Sequence, residues 1–441
     1  MTDKNYTLPK AIRAALVSIV SPLFDYHHNK LETQYSLDEL SQLLNTLEVE
    51  SGPRFIQEKS TPDSGTVLGQ GKILEIAEAA LKEKCDFLVF DFPLTASQLR
   101  NIEKLTKMKV VDRCHVIFQI FAQHAKTKES QIQIEISRLQ YLLPRLTSLW
   151  THFSKLKGGI GLKGEGEQQL ELDRRIIKKK IAQYKIQLEE LKTAKSIQNS
   201  ERLKKTLNVA LIGYTNAGKS SLMNRLCKTS VLEEDKLFAT LESTYRLLTP
   251  DTKPPIVLAD TVGFISNLPS VMVEGFKTTL QSAQDADMLL IVVDIADPHM
   301  DKQIAVTLKT LEELNLQNKK HMFVFTKKDK LNNPFIASIK IRPYPHSYVV
   351  SSFQAEDMLK LRQIIVDELL KDQNFYDLLI PYEDGLAHAK IKKNTNILKI
   401  GNHEKGIFYR VKTFEHIFFK LSLKEYVLAP TESENIFKNF L

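Results

Sequence analysis

Residues 207–226, LNVALIGYTNAGKSSLMNRL, set an apolar run against a glycine-bounded loop and then a helical pattern. Gly213, Gly218, Lys219 and Ser220 meet the spacing G-x-x-x-x-G-K-[ST]. In such a loop, backbone N–H groups at a helix N-terminus surround phosphate oxygens, the lysine neutralises charge and the serine oxygen binds Mg²⁺. The glycines let the backbone approach the phosphates, and the partial positive charge of the helix start favours an anion. The chain therefore needs a strand–loop–helix unit of α/β type. Gly213, Tyr214, Thr215, Asn216, Ala217, Gly218, Lys219, Ser220 and Ser221 are its candidate nucleotide contacts.

The signatures of a guanine site follow in chain order. Asp260, Thr261, Val262 and Gly263 come after an apolar strand at 255–259. They place a carboxylate where it can hold the Mg²⁺ shell and a glycine N–H near a third phosphate. Between the P-loop and this segment lies FATLEST, in which Thr240, flanked by Phe238 and Ala239, is the best candidate for a threonine that closes on the metal. Thr244 is the runner-up. A strand at 321–325 ends in Thr326, Lys327, Lys328 and Asp329, a T-K-x-D. A carboxylate there can accept two hydrogen bonds from guanine N1–H and its 2-amino group, which adenine does not offer. Thr326 in place of the commoner asparagine implies somewhat looser base binding. Ser351 and Ser352 follow the strand at 347–350 and stand where a small residue lets a backbone N–H reach the guanine oxygen. Lys219, Thr240 and Gly263 are thus the candidate catalytic groups, and Ser220, Thr240 and Asp260 the candidate Mg²⁺ ligands. Phe264 occupies the position where small GTPases carry the glutamine that orients water. A phenyl ring cannot do this, so hydrolysis should be slow alone and stimulated by a partner. Asn216 resembles the P-loop asparagine of GTPases that use K⁺ as a fixed positive charge; equal turnover in sodium and potassium buffers would count against that reading.

Upstream, short apolar runs alternate with helical patterns. Residues 14–20 and 85–90 read as strands, while Ser36 with Glu39 and Thr95 with Gln98 have capping-box spacing and predict helix starts. TVLGQGK, residues 66–72, reads as a glycine turn into a further helix. From Ile132, apolar residues at Ile136, Leu139, Leu143, Leu146 and Trp150 step by four and three. Ile177, Ile181, Tyr184, Leu188 and Leu191 repeat the steps, predicting two antiparallel helices of about 25 residues, roughly 35 to 40 Å long, with a bend at Pro144. Residues 155–175 form the predicted tip loop, with five glycines between Gly158 and Gly166. Such a loop, close to several lysines and arginines, is suited to ordering against a partner. Most of the chain's net charge of +8 falls nearby: residues 151–205 hold fourteen Lys or Arg against seven Asp or Glu. A basic projection of this kind meets phosphate backbones. The three cysteines, Cys85, Cys114 and Cys227, fit no metal or redox spacing and read as buried thiols in a reducing compartment. No apolar run approaches the roughly 18 residues that span a bilayer, and no leader pattern opens the chain, which predicts a soluble cytoplasmic protein.

With SQLRNIEKL, DRCHVIFQIFAQHAKTKESQIQIEISRLQYLLPRL, GGIGLKGEGEQQLELDRR, GYTNAGKSSLMNRL, FATLEST and LADTVGFISNLP, the chain resembles the HflX family of ribosome-associated GTPases over nearly all its length. The resemblance implies an α/β domain at 1–125, a helical hairpin with a glycine-rich tip at 126–204, a P-loop GTPase domain at 205–372 and a small C-terminal α/β domain at 373–441. It also implies binding to the large ribosomal subunit and its RNA, and GTP-dependent splitting or rescue of stalled or idle ribosomes. Contacts would run through Lys157, Gly158, Gly159, Lys163, Gly164, Gly166, Arg174 and Arg175. Lys163 and Glu165 stand where the family loop usually has arginine and proline. GTP and Mg²⁺, with K⁺ as an addition, are the implied cofactors; the chain is expected to act as a monomer, with neither DNA nor a membrane as partner. A GTP-switched RNA-binding factor in large-subunit assembly is the alternative. A transfer-RNA modification enzyme ranks last, because no catalytic cysteine stands in a C-terminal motif.

Overall fold

Continuous apolar runs such as AALVSIV and MLLIVVD leave no polar face, so strands built from them must be covered on both sides, as in parallel sheets. The computed structural model describes residues 12–24, 28–154, 165–203, 206–227, 238, 244–249, 251–266 and 281–428. Within these, the first layer is β1 (Arg13–Val20), β2 (Glu50–Glu58), β3 (Phe87–Phe90) and β4 (Lys109–Asp112), all parallel in the order β2-β1-β3-β4. Helices α1 (Lys30–Thr46), α2 (Gln70–Lys82), α3 (Ala96–Thr106) and α4 (Arg113–His124) complete it. The predicted capping box is present at α3: Thr95 accepts from Gln98 N, and the Gln98 side chain accepts from Thr95 N. TVLGQGK turns into α2 with Gly69 as N-cap.

The other predicted box is absent. α1 begins six residues before Ser36, where Asn29 accepts from Glu32 N at 2.9 Å. Ser36 and Glu39 are interior helical residues, both buried, because they face the guanidinium of Arg113. S-x-x-E spacing is a local pattern, and a partner 74 residues away decided its use.

Two long helices follow, α5 (Lys128–Ser154) and α6 (Glu165–Leu203). Ile132 and Ile136 bury against Leu188, with Ile181, Tyr184 and Leu191 packed around them, so the two predicted seams meet at this end; the side chains of Leu146 and Trp150 lie outside the described residues. The helix of α5 continues through Pro144 and is about 40 Å long, while the 39 residues of α6 reach about 58 Å. The tip loop is therefore shorter than predicted. Gly166 lies in the first turn of α6, and Arg174 and Arg175 are exposed on its surface, since QQLELDRR consists largely of good helix formers. Lys157, Gly158, Gly159, Lys163 and Gly164 lie outside the described residues, as do Ala239 and Thr240. Asp112 fastens α5 to the first layer: it caps α4 through His115 N at 3.0 Å, accepts from Tyr141 Oη at 2.5 Å and from Arg145 Nη2 at 3.1 Å.

The central sheet is β5 (Leu207–Gly213), β6 (Thr244–Thr249), β7 (Ile256–Asp260), β8 (Met288–Asp294), β9 (His321–Thr326) and β10 (Ser347–Val349) in the order β10-β9-β8-β5-β7-β6. Only β6, at the edge, runs antiparallel. Helices α7 (Lys219–Cys227), α8 (Gln281–Gln284), α9 (Met300–Glu313), α10 (Pro334–Ile341) and α11 (Ala355–Leu369) accompany it. A last antiparallel sheet, β11 (Asn374–Ile380), β12 (Asn396–His403) and β13 (Gly406–Thr413), carries α12 (Gly385–Asn394) and α13 (Glu415–Leu421). Leu378, Ile380, Tyr409, Val411 and Phe418 form its core.

The first layer and the central sheet share one hydrophobic core. Leu37 and Leu40 of α1 and Phe118 and Phe121 of α4 belong to the same cluster as Ile212, Tyr214, Phe238, Phe264 and Ile265. Cys85 and Cys114 are buried as expected, whereas Cys227 is only half-buried at the end of α7. Among the described residues, no helix is long and apolar enough to cross a membrane.

Candidate functional site

Parallel strands place their following loops at one edge, and ligands of open α/β sheets bind there. In this sheet that edge gathers the loops after β5, β7, β9 and β10, which hold the residues singled out above. The P-loop leaves β5 at Gly213 and enters α7 at Lys219. Gly218 has φ +87°, in the region that glycine adopts without a steric penalty, which lets the loop close over an anion. Asn216 also has a positive φ, 59°, is exposed, and its carbonyl accepts from Lys327 Nζ at 2.8 Å.

Lys219 is 6% exposed, and its ammonium donates to Gly213 O at 3.2 Å and Tyr214 O at 2.8 Å. An ammonium has three donors, so one remains for a phosphate oxygen. Burial pushes its pKa down to about 8, with Asp260 opposing the shift. An anion in the loop restores the charged form. Ser220 Oγ donates to Asp260 Oδ2 at 2.7 Å, which joins two hard oxygen donors, one from the first turn of α7 and one from the end of β7. That donor set suits Mg²⁺.

The DTVGF segment is zipped onto the P-loop. Phe264 N donates to Gly213 O at 3.0 Å and Thr215 N donates to Phe264 O at 2.7 Å. Gly263 consequently lies so close that a Cβ on it would stand 2.7 Å from Thr215 Cα and 2.9 Å from Lys219 Nζ. Only glycine fits this approach. Thr261 is fully buried and donates to Leu211 O at 2.6 Å, so its hydroxyl braces the sheet; Val262 is buried in the shared core. The ring of Phe264, 3% exposed, is buried in the same core. Phe238, at φ 60°, packs its ring 4.6 Å from that of Phe121. Thr244, the runner-up threonine, opens β6 in register with Asp260.

At the base-reading end, Thr326 Oγ1 donates to Ala217 O at 2.7 Å, with Val293 O a second, longer acceptor for the same proton at 3.1 Å, so threonine ties this loop to the P-loop. Lys327 Nζ pairs with Asp294 Oδ2 at 2.8 Å. Asp329 is exposed, and Ser351 Oγ donates to its Oδ1 at 2.5 Å. Ser351 N donates to Asp357 Oδ2 at 2.8 Å, and Ser352 follows, half-buried, beside it. Ser221 is half-buried in the first turn of α7.

The site also contains residues that the motifs did not mark. Asp294 stands at the end of MLLIVVD, a position whose strand-end carboxylate was the available signal. Tyr214 turns its side chain away from the phosphate loop: its hydroxyl accepts from Ser266 N at 2.7 Å, lies 2.6 Å from Ser266 Oγ, and bonds to Glu39. Nothing in a linear reading links Tyr214 with a helix 175 residues upstream.

These geometries coincide with family membership. Residues 34–122 match a family model described as GTP-binding GTPase N-terminal, residues 124–202 the GTP-binding GTPase middle region, and residues 208–328 a 50S ribosome-binding GTPase. A GTPase HflX of Lacrimispora saccharolytica is 38% identical over 391 residues, covering 88% of this chain and 91% of that protein. The chain belongs to the HflX family of GTPases. The HflX of Escherichia coli K12 is 35% identical over 373 residues, covering 84% of this chain and 87% of its own. Among solved structures, a GTP-binding protein of Sulfolobus solfataricus in complex with GDP is 21% identical, with a TM-score of 0.42 and coverage of 80% and 99%. As a member of the HflX family, the chain is a GTPase that binds guanine nucleotide.

Proposed function

We propose that this GTPase binds the large ribosomal subunit and its RNA, and that GTP-bound protein drives the separation or rescue of stalled or idle ribosomes. The observation that carries the reading is the helix pair. Its helices are 27 and 39 residues long, and α6 exposes Arg174, Arg175, Lys178, Lys179 and Lys180 in one stretch. A rigid basic lever suits a phosphate backbone, and the match of residues 208–328 to a 50S ribosome-binding GTPase supports the same partner. Lys157, Gly158, Gly159, Lys163, Gly164 and Gly166 would carry the contact at its end. The division at 1–125, 126–204, 205–372 and 373–441 is proposed with it. The protein is proposed to act as a cytoplasmic monomer.

In the proposed mechanism Lys219 holds the terminal phosphates, Gly263 N–H faces the third phosphate, and Thr240 closes over it. Asp329 reads guanine N1–H and the 2-amino group, and Ser351 orients that carboxylate. Ser220, Asp260 and Thr240 would hold Mg²⁺, which supplies charge neutralisation at the phosphate oxygens when bound. Asn216, exposed at the P-loop, would face K⁺. Phe264 is buried away from the phosphate side and supplies no polar group, so the attacking water is placed by backbone or by the ribosome. Chemistry is thereby gated by docking.

The test is sedimentation of assembled ribosomes through sucrose with the protein and a nonhydrolysable GTP analogue, beside a variant lacking residues 158–166. Loss of the assembled peak with the intact protein alone supports the proposal. An intact peak, with the protein travelling only with free large subunits, replaces it with an assembly role.

A further inference from the structure

The P-loop residue Tyr214 gives its hydroxyl to Ser266 and Glu39 rather than to the phosphate loop. Its hydroxyl sits at a junction of three elements: the P-loop, the segment that follows Gly263, and α1 of the first layer. From one side it accepts Ser266 N at 2.7 Å, with Ser266 5% exposed. On the other it bonds to Glu39, which is 5% exposed and paired with Arg113. Arg113, wholly buried, also holds Asp91 at 2.8 Å and the Ser36 carbonyl at 3.3 Å. The first layer therefore fixes the Glu39 carboxylate from behind.

The geometry works as a chain of position. Ser266 is three residues beyond Gly263, and the peptide between them is already pinned at Phe264 by two hydrogen bonds to residues 213 and 215. With Ser266 N also tied to Tyr214, the segment is held at both ends of a span too short to flex independently. A second contact runs alongside: Gln303 of α9 donates to Tyr35 Oη of α1 at 3.0 Å, and the Tyr35 ring lies 3.9 Å from that of His299, tilted by 36°. A movement of α1 relative to the central sheet would therefore act on both contacts, at the Tyr214 hydroxyl and at Gln303.

We propose that Tyr214 is a positioning residue for GTP hydrolysis: anchored by Glu39 and Arg113 of the first layer, its hydroxyl holds Ser266 and so sets where the Gly263 N–H stands opposite the third phosphate. The device rests on the GTPase activity alone and not on the ribosomal partner, so its test needs no ribosomes and its failure leaves the proposed partner untouched. It gives the first layer, and whatever binds the helix pair built on it, a mechanical grip on the catalytic segment.

The experiment compares full-length protein with Tyr214→Phe, Glu39→Gln and Glu39→Ala by single-turnover GTP hydrolysis and by dissociation of fluorescent GDP and of a nonhydrolysable GTP analogue. Tyr214→Phe should hydrolyse about tenfold more slowly and release the triphosphate analogue several-fold faster, with GDP release within about two-fold of the parent. A merely structural residue would move both nucleotides together. Glu39→Gln keeps an oxygen for the phenol and should stay within about three-fold of the parent, whereas Glu39→Ala should follow Tyr214→Phe. Unchanged GDP release certifies that each variant is folded. Parental or faster hydrolysis by Tyr214→Phe, or equal loss of GDP and analogue, would overturn the proposal. So would a parental rate in Glu39→Ala beside a slow Tyr214→Phe.

Discussion

Replacing Gly263 by alanine tests how closely the DTVGF segment must lie over the P-loop. The added Cβ would stand 2.7 Å from Thr215 Cα, 2.9 Å from Thr215 Cγ2 and 2.9 Å from Lys219 Nζ. Carbon atoms in contact prefer about 3.5–4.0 Å, and a backbone atom cannot rotate aside, so the segment must retreat by roughly 1 Å. That stretches the 3.0 and 2.7 Å bonds that join Phe264 to Gly213 and Thr215, taking them toward ~4 Å, where they no longer count as hydrogen bonds. The same retreat draws the Gly263 N–H away from the third phosphate. A hydrogen bond to a charged group contributes about 1.5–3 kcal/mol, so GTP hydrolysis should fall by roughly ten- to a hundred-fold. GDP has no third phosphate, and its affinity should change by less than about three-fold. Single-turnover hydrolysis and equilibrium titration with fluorescent GDP read the two quantities on one preparation. Hydrolysis within two-fold of the parent, or a parallel loss of GDP affinity, would refute the reasoning.

Other perturbations probe separate parts of the account. Asp329→Asn replaces one of two acceptor oxygens with a donor; GDP should bind about thirty-fold more weakly, and a xanthine nucleotide, with an oxygen where guanine has its amino group, should gain affinity by calorimetry. Asp112→Ala strips the cap of α4 and leaves Tyr141 and Arg145 without their buried carboxylate. The loss is about 3–5 kcal/mol, which should lower the first thermal transition by roughly 10 °C. The Cys227 thiol is pushed up to about 11 by burial, and burial also raises Cys85 and Cys114. At pH 8 native protein should react slowly with a thiol reagent, half-buried Cys227 first, and all three only on unfolding.

The placement of the three motifs at one edge of the central sheet was legible because each is a short contiguous stretch whose position at a strand end follows from the apolar run before it. Gly213 to Ser220, Asp260 to Gly263 and Thr326 to Asp329 needed no knowledge of distant residues. The seams of α5 and α6 were legible for the same reason, since four-and-three spacing is a property of one helix. What escaped was decided across the chain. Ser36 and Glu39 carry the spacing of a helix cap, yet Arg113 draws them into the interior, and no local rule reports an ion pair between residues 39 and 113. Glycines at 164 and 166 suggested loop as far as Arg175, whereas the residues after Gly166 favour helix strongly enough to include it in the first turn. Tyr214 was marked by its place in the motif, and no local rule places its hydroxyl against Ser266 and Glu39. Helical and strand periodicities predict which face is buried, not what that face meets.

The central claim is that a GTPase whose Phe264 offers no group to water waits for the large ribosomal subunit. Its most direct test is the rate of GTP hydrolysis by the full chain alone, with purified large subunits and with purified small subunits. The account predicts slow turnover alone, strong stimulation by large subunits, and loss of that stimulation when residues 158–166 are removed. Equal rates in all three conditions, or stimulation by small subunits alone, would contradict it.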